Sequence, residues 1–260
     1  MGKREVARSL IEYGRELEAA GAAQVGSSFS GNPDADYLLE HDPNAFLLAV
    51  LFTQGISAER AWQGPWLLAQ RLGTLDVKYL AEHADAVRDA FQQAPMLHRF
   101  KETLPRWVTS AARRLAEDYD CDASRIWAEH SHVLEVVERL SAFEGIGRKK
   151  AVMATEILTR HFGVQLEGRE CGQVAYDVHV RRVFLRAGLV DVDTRDAVEK
   201  AASELCPGSP GTLDLPAWLI GRETCRPKAP RCAECRIADF CPKRTSLTPE
   251  GVGVRRGERT

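Results

Sequence analysis

Four cysteines fall within 17 residues with the spacing Cys225-x6-Cys232-x2-Cys235-x5-Cys241. Clustered thiols read as ligands of a soft metal centre, whereas the scattered Cys121, Cys171 and Cys206 read as small core residues. Structural zinc usually pairs two short ligand knuckles. This stretch has one C-x2-C flanked by longer arms, so four thiolates around a single soft centre remain the reading, with zinc as the generic competitor. From Arg222 to Arg244 there are seven basic and three acidic residues. Arg226, Lys228 and Arg231 therefore form a candidate edge for nucleic-acid phosphates. The plain alternative is a structural metal site whose loop is incidentally basic.

A second group lies in AFEGIGRKKA. Gly145 and Gly147 around one apolar residue allow a tight turn whose backbone amides point outward. A helix starting at Arg148 adds its own unpaired amides and its positive dipole end, which together suit a phosphate. An ordinary glycine-capped helix pair would show the same pattern. Lys149 stands in the first helical turn between two other cations, a setting that favours the nucleophilic free amine. A solvated surface lysine is its bland reading. The third group is Asp177 at the head of DVHVRRVFLRAGL, an N-cap by position and a carboxylate that can also face a cleft.

The elements that must hold these groups read as helices. Residues 6–20, the stretch from Asn44 through TQGI, a helix starting at Ser57 and stopping at Gly73, and the runs TLDVKYLAEHADAVRDAFQQ, FKETLPRWVTSAARRLAEDY and SRIWAEHSHVLEVVERLSAF all carry apolar positions at helical spacing. Residues 26–37 read as a loop, and 161–176 as a loop or a short extended stretch. No segment alternates long enough for a sheet, and the tail 245–260 reads as mobile. The chain has 260 residues, 44% of them hydrophobic, which excludes whole-chain disorder. Its longest apolar run, Ala45 to Phe52, is far short of a membrane span. No signal-peptide core is visible, so a cytoplasmic protein is the expectation. The formal net charge is −2, so any polyanion-binding surface must be local.

At these residues the chain resembles the endonuclease III family of DNA glycosylases, in the helix-hairpin-helix superfamily. FEGIGRKKA is similar to the family's Leu-Pro-Gly-Val-Gly-Arg-Lys-Thr-Ala, DVHVRRV to its Asp-Thr-His-x-x-Arg-Val, and WLIGRETC…RCAEC…C to its cluster loop, spacing included. The resemblance spans about residues 45 to 244. It implies an all-α fold of two helical domains with a DNA-binding cleft between them. One would be a six-helix barrel over 36–161 containing the hairpin, the other a discontinuous cluster domain of 1–35 plus 162–244. It implies a [4Fe–4S] cluster on Cys225, Cys232, Cys235 and Cys241, and Lys149 and Asp177 as catalytic residues. DNA contacts fall to the hairpin residues Gly145, Gly147 and Arg148, and to Arg226, Lys228 and Arg231. Gln54 and Leu97 become candidates to fill the gap left by a flipped base.

The implied activity is excision of a damaged base, an oxidised pyrimidine first, by attack of Lys149 at C1′ followed by β-elimination. The implied partner is double-stranded DNA carrying a flipped damaged base or an abasic site, bound by a monomer. Alternatives are a monofunctional glycosylase for another lesion or mismatch, against which Lys149 speaks, and a non-catalytic DNA-binding homologue. An adenine glycosylase would need a glutamate where Ala49 stands. Three departures fall where the flipped base would sit: Lys150 in place of the family's Thr or Ser, extra residues within 161–176, and the TQGIS sequence around Gln54.

Overall fold

Asp42 and Pro43 start the helix around which the first half of the chain is built. The Asp42 carboxylate accepts from the amides of Asn44 and Ala45, and Pro43 supplies a preset φ at the first helical position. The helix they start (α3, Pro43–Phe52) is apolar on every side, and Ala45 through Phe52 are all buried. A helix without a polar face belongs at the centre of a core. In this computed structural model, which describes residues 2–19 and 30–244, α3 holds that place.

Around it pack α2 (Pro33–His41), α4 (Ala58–Leu72), α5 (Val77–Glu82), α6 (Ala84–Gln92), α7 (Thr103–Asp118), α8 (Val133–Ser141) and α9 (Arg148–Arg160). Ser57 caps α4 through the Arg60 amide, and Gly73 closes it in the left-handed conformation, as its sequence position predicts. Gly64 lets α4 lie directly on the Phe52 ring, since a Cβ there would sit 2.1 Å from it.

A second apolar cluster joins α1 (Lys3–Ala19), α10 (Val178–Arg186), α11 (Arg195–Leu205) and α12 (Asp214–Glu223). Val6, Leu10, Val183, Phe184, Val198 and Ile220 lie at its centre. Among the described residues the fold is all-α. Its one β feature is an isolated bridge between His132 and Glu167, where 161–176 runs back along the loop before α8. The run from Thr74 to Gln93, expected as one helix, is two. His83 leaves helical geometry (φ −109°, ψ 53°) and both closes α5 and opens α6. Helical periodicity survives the break because both pieces turn their apolar residues to the same core. No helix is long and apolar enough to cross a membrane among the described residues. The predicted tail 245–260 and residues 26–29 of the predicted loop 26–37 lie outside the described residues; from Pro33 onward that loop is instead the start of α2, because the Asn32 side chain caps it through the amides of Asp34 and Ala35.

Candidate active site

The hairpin between α8 and α9 is shaped by Gly145. Its φ of +89° is left-handed, and an added Cβ would come within 2.5 Å of the Trp107 ring. Both facts require glycine. Trp107 is steadied in turn by an indole N–H bond to Glu144 (3.2 Å), which also pairs with Arg106 (3.0 Å). Gly147 caps α9 with no side-chain acceptor. Among the described residues, no protein acceptor meets the amides of Gly145, Gly147 or Arg148. Three donors thus face outward at a helix N-terminus, an arrangement that takes an anion.

Lys149 and Lys150 leave α9 in different directions. Lys149 is half exposed, and its Nζ lies 3.9 Å from Asp177 Oδ2. Asp177 is nearly buried and also caps α10, its Oδ1 accepting from His179 N (2.7 Å) and Val180 N (3.0 Å). The cap and cleft readings of Asp177 therefore hold together: one oxygen caps the helix while the other faces the amine. Lys150 is 6% exposed, donates to the Leu51 carbonyl (3.0 Å) and lies 5.7 Å from the centre of the Trp107 ring. Burial pushes its ammonium down to about 8, and Lys149 beside it works in the same direction.

The Leu51 carbonyl belongs to a shared junction. The last carbonyls of α3 are taken one each by Thr53 Oγ1 (Val50 O, 2.7 Å), Lys150 (Leu51 O) and His98 (Phe52 O, 3.2 Å). His98 is fully buried, and its Nδ1 accepts from Phe100 N. Burial lowers its pKa against the bond to Phe52, and Arg60, Lys150 and Arg99 lower it further. The hydrogen-bond network assigns a neutral ring with its proton on Nε2. Sequence reasoning did not anticipate this junction, because a lysine and a histidine seldom signal their own burial.

Two loops meet above it. Gln54 is exposed in the first, as expected. In the second, Leu97, expected as a gap filler, is 3% exposed and packs in the core; its neighbour Met96 is 51% exposed. The apolar side chain offered outward from this loop is therefore Met96, a correction that follows from which of the two adjacent residues the core takes up. Arg60 binds the Met96 carbonyl (2.9 Å), and Arg99 binds that of Gly55 (3.3 Å), tying the loops together.

A polar seam joins α9 to the second cluster. Arg148 pairs with Gln173 (2.8 Å) and Glu199 (3.7 Å), and Arg160 with Ser209 (2.9 Å) and Thr212 (3.0 Å). Asp214 accepts from Ala175 N (2.6 Å). On the far side Arg222, stacked on Trp218, reaches Glu59 at the start of α4 (3.2 Å).

The four clustered cysteines, none in a disulfide, line one pocket with Val183, Ile220 and Ile237. Arg186 Nη1 approaches Cys225 Sγ (3.8 Å) and Lys243 N donates to Cys241 Sγ (3.4 Å). Burial raises the Cys241 thiol, and the other three sulfurs add to the effect. Four thiolates here therefore need a cationic centre. Among the described residues no three donors converge as a single metal ion requires. The spacing of one C-x2-C between longer arms differs from the two short knuckles usual in structural zinc. Arg226, Lys228 and Arg231 are exposed beside it; Arg231 pairs with Glu234 (3.0 Å).

No family model matches the chain. It is 26% identical over 215 residues to an endonuclease III of Synechocystis sp., spanning 81% of this chain and 86% of that one. It is 31% identical over 134 residues to an endonuclease III of Treponema pallidum, about half of each chain. A solved structure described as a trapped endonuclease III–DNA covalent intermediate superposes with a TM-score of 0.63 over 94% of this chain and 97% of that one, at 19% identity, a likeness of fold. With the hairpin, the Lys149–Asp177 pair and the cysteine pocket in place, the chain is similar in sequence to endonucleases III and shares the fold of a solved one.

Proposed function

We propose that the protein is a bifunctional DNA repair enzyme that excises a damaged base and then cleaves the strand. The observation that carries this is the pairing of Lys149 with Asp177 beside a hairpin whose amides lack acceptors. A phosphate held by Gly145, Gly147 and Arg148 places the duplex against that pair. The target nucleotide must leave the stack to be reached, with Gln54 and Met96 filling the gap it leaves. Asp177 takes the proton from the Lys149 ammonium. The free amine then forms a bond to C1′ as the bond from C1′ to the base breaks. In the alternative role Asp177 stays ionised and stabilises the positive charge that develops on the sugar. The ring-opened Schiff base acidifies the 2′ position; loss of a 2′ proton expels the 3′ phosphate and cleaves the strand.

Cys225, Cys232, Cys235 and Cys241 are the residues that would hold a [4Fe–4S] cluster. Bound there, it supplies folding energy and fixes the basic loop, since no step above changes oxidation state. The division proposed is a barrel domain over 36–161 and a cluster domain of 1–35 plus 162–244; two separate apolar clusters support it, although Leu166 and Ala175 pack with the first. Oxidised pyrimidines are the first lesion class to screen, and a monomer is the expected active form.

Borohydride trapping on duplex DNA with a preformed abasic site tests the reading. Wild type should form a covalent adduct and Lys149→Ala none, with abasic-site affinity retained. Adduct formation by Lys149→Ala that disappears only when Lys150 is also replaced would move the nucleophile to the buried lysine. Absence of adduct in wild type would leave a binding protein.

A further inference from the structure

The extended segment 173–176 delivers Asp177 to Lys149, and its residues are tied to different elements. Gln173 is held by Arg148 of α9 (2.8 Å), Ala175 N by Asp214 of α12 (2.6 Å), and Tyr176 Oη by Asp193 ahead of α11 (2.8 Å). Asp214 is the buried one among these anchors, at 8% exposure, and the chemistry just proposed makes no use of it. A segment without a helix or strand ladder depends on such bonds, because each buried amide left without an acceptor costs ~1–3 kcal/mol.

We infer that Asp214 is a positioning residue: its buried carboxyl anchors the amide two residues before Asp177 and so sets where Asp177 meets Lys149. This rests on the lyase reading above.

The groups that face Asp214 are Glu156 and Arg160 of α9 and Asp177 ahead of α10. Burial pushes its carboxyl up to about 8; Glu156 and Asp177 push the same way, and the Ala175 bond and Arg160 oppose them. Near neutral pH Asp214 therefore holds a proton and anchors the segment as a neutral carboxyl. Ionisation of Asp214 at higher pH keeps the Ala175 contact but places a second anion behind Asp177.

Asparagine keeps the acceptor and cannot ionise; valine keeps the size and removes the acceptor. Single-turnover cleavage of a preformed abasic duplex is measured from pH 6 to 9.5 for wild type, Asp214→Asn and Asp214→Val, with abasic-DNA affinity alongside. Asp214→Asn should cleave within threefold of wild type at pH 7, and its rate relative to wild type should rise at least threefold by pH 9.5. Asp214→Val should lose tenfold or more in rate, with affinity within threefold. A flat Asn-to-wild-type ratio, or an Asn variant as impaired as Val, overturns the inference.

Hydrogen exchange at the Ala175 amide tests the anchor without catalysis. Protection should be present in wild type and Asp214→Asn and at least tenfold weaker in Asp214→Val; equal protection in all three overturns it. If no form cleaves abasic DNA, the lyase reading fails, and the exchange result still decides whether Asp214 holds the segment.

Discussion

Asp177 and Lys150 show how one side chain can serve two neighbours. Asparagine caps a helix about as well as aspartate, so Asp177→Asn keeps both amide contacts of α10 and removes the charge facing Lys149. Base excision should slow at least a hundredfold, with thermal stability changed by less than about 1 kcal/mol. A stability loss without a rate loss would leave the carboxylate as a cap alone. Lys150 makes a separate prediction through pH. Its folded pKa is about 8 against 10.5 for the free side chain. Between those values the unfolded chain binds more protons than the folded one, so stability rises with pH across that window. The gain is on the order of 3 kcal/mol at most, from 1.36 kcal/mol per pKa unit. In thermal melts, wild type should gain on Lys150→Met from pH 7 to pH 10; a constant difference would mean that Lys150 carries no buried charge at pH 7. The capping role of Asp177 was legible in the sequence. The burial of Lys150 was not, because its acceptor, the Leu51 carbonyl, lies 99 residues away.

At the level of elements, helix boundaries marked by local chemistry were readable: Ser57 and Gly73 around α4, the start of α9 at Arg148, and Asp177 before α10. Boundaries set by packing were not, and the break at His83 is one. The loop of Met96 and Leu97 is another. Two adjacent apolar residues look alike in sequence, and packing in the core decides which one faces out. The two truncations should therefore separate. Leu97→Ala should cost about 2–5 kcal/mol of stability, as cavity formation in a core does. Met96→Ala should leave melting nearly unchanged and weaken binding or excision on lesion-containing duplex, which titration and single-turnover assays would show. The reverse pattern would return the gap-filling role to Leu97.

For the whole molecule, the spacing of the four cysteines pointed to one shared centre, and all four line the same pocket. Purified protein should contain iron and sulfide with broad absorbance near ~400 nm, as cysteine-ligated clusters show. One zinc and no iron would replace the cluster with a mononuclear site. Neutralising Arg226, Lys228 or Arg231 singly should reduce the slope of log affinity against log salt by about one unit each, equally across sequences. An unchanged slope would remove that residue from the phosphate contacts.

The seam along α9 has a consequence for how the molecule melts. It is built of polar contacts, among them Arg148 to Gln173 and Glu199, Arg160 to Ser209 and Thr212, and Ala175 to Asp214, while each apolar cluster closes on its own side. Polar bridges of this kind transmit little of the free energy that makes unfolding all-or-none. Scanning calorimetry should therefore resolve two heat-absorption peaks. Stripping iron with a chelator should shift the one that belongs to α10, α11 and α12 and leave the one built on α3 in place. A single peak that the chelator moves as a whole would show that the seam couples the two halves more tightly than its chemistry implies.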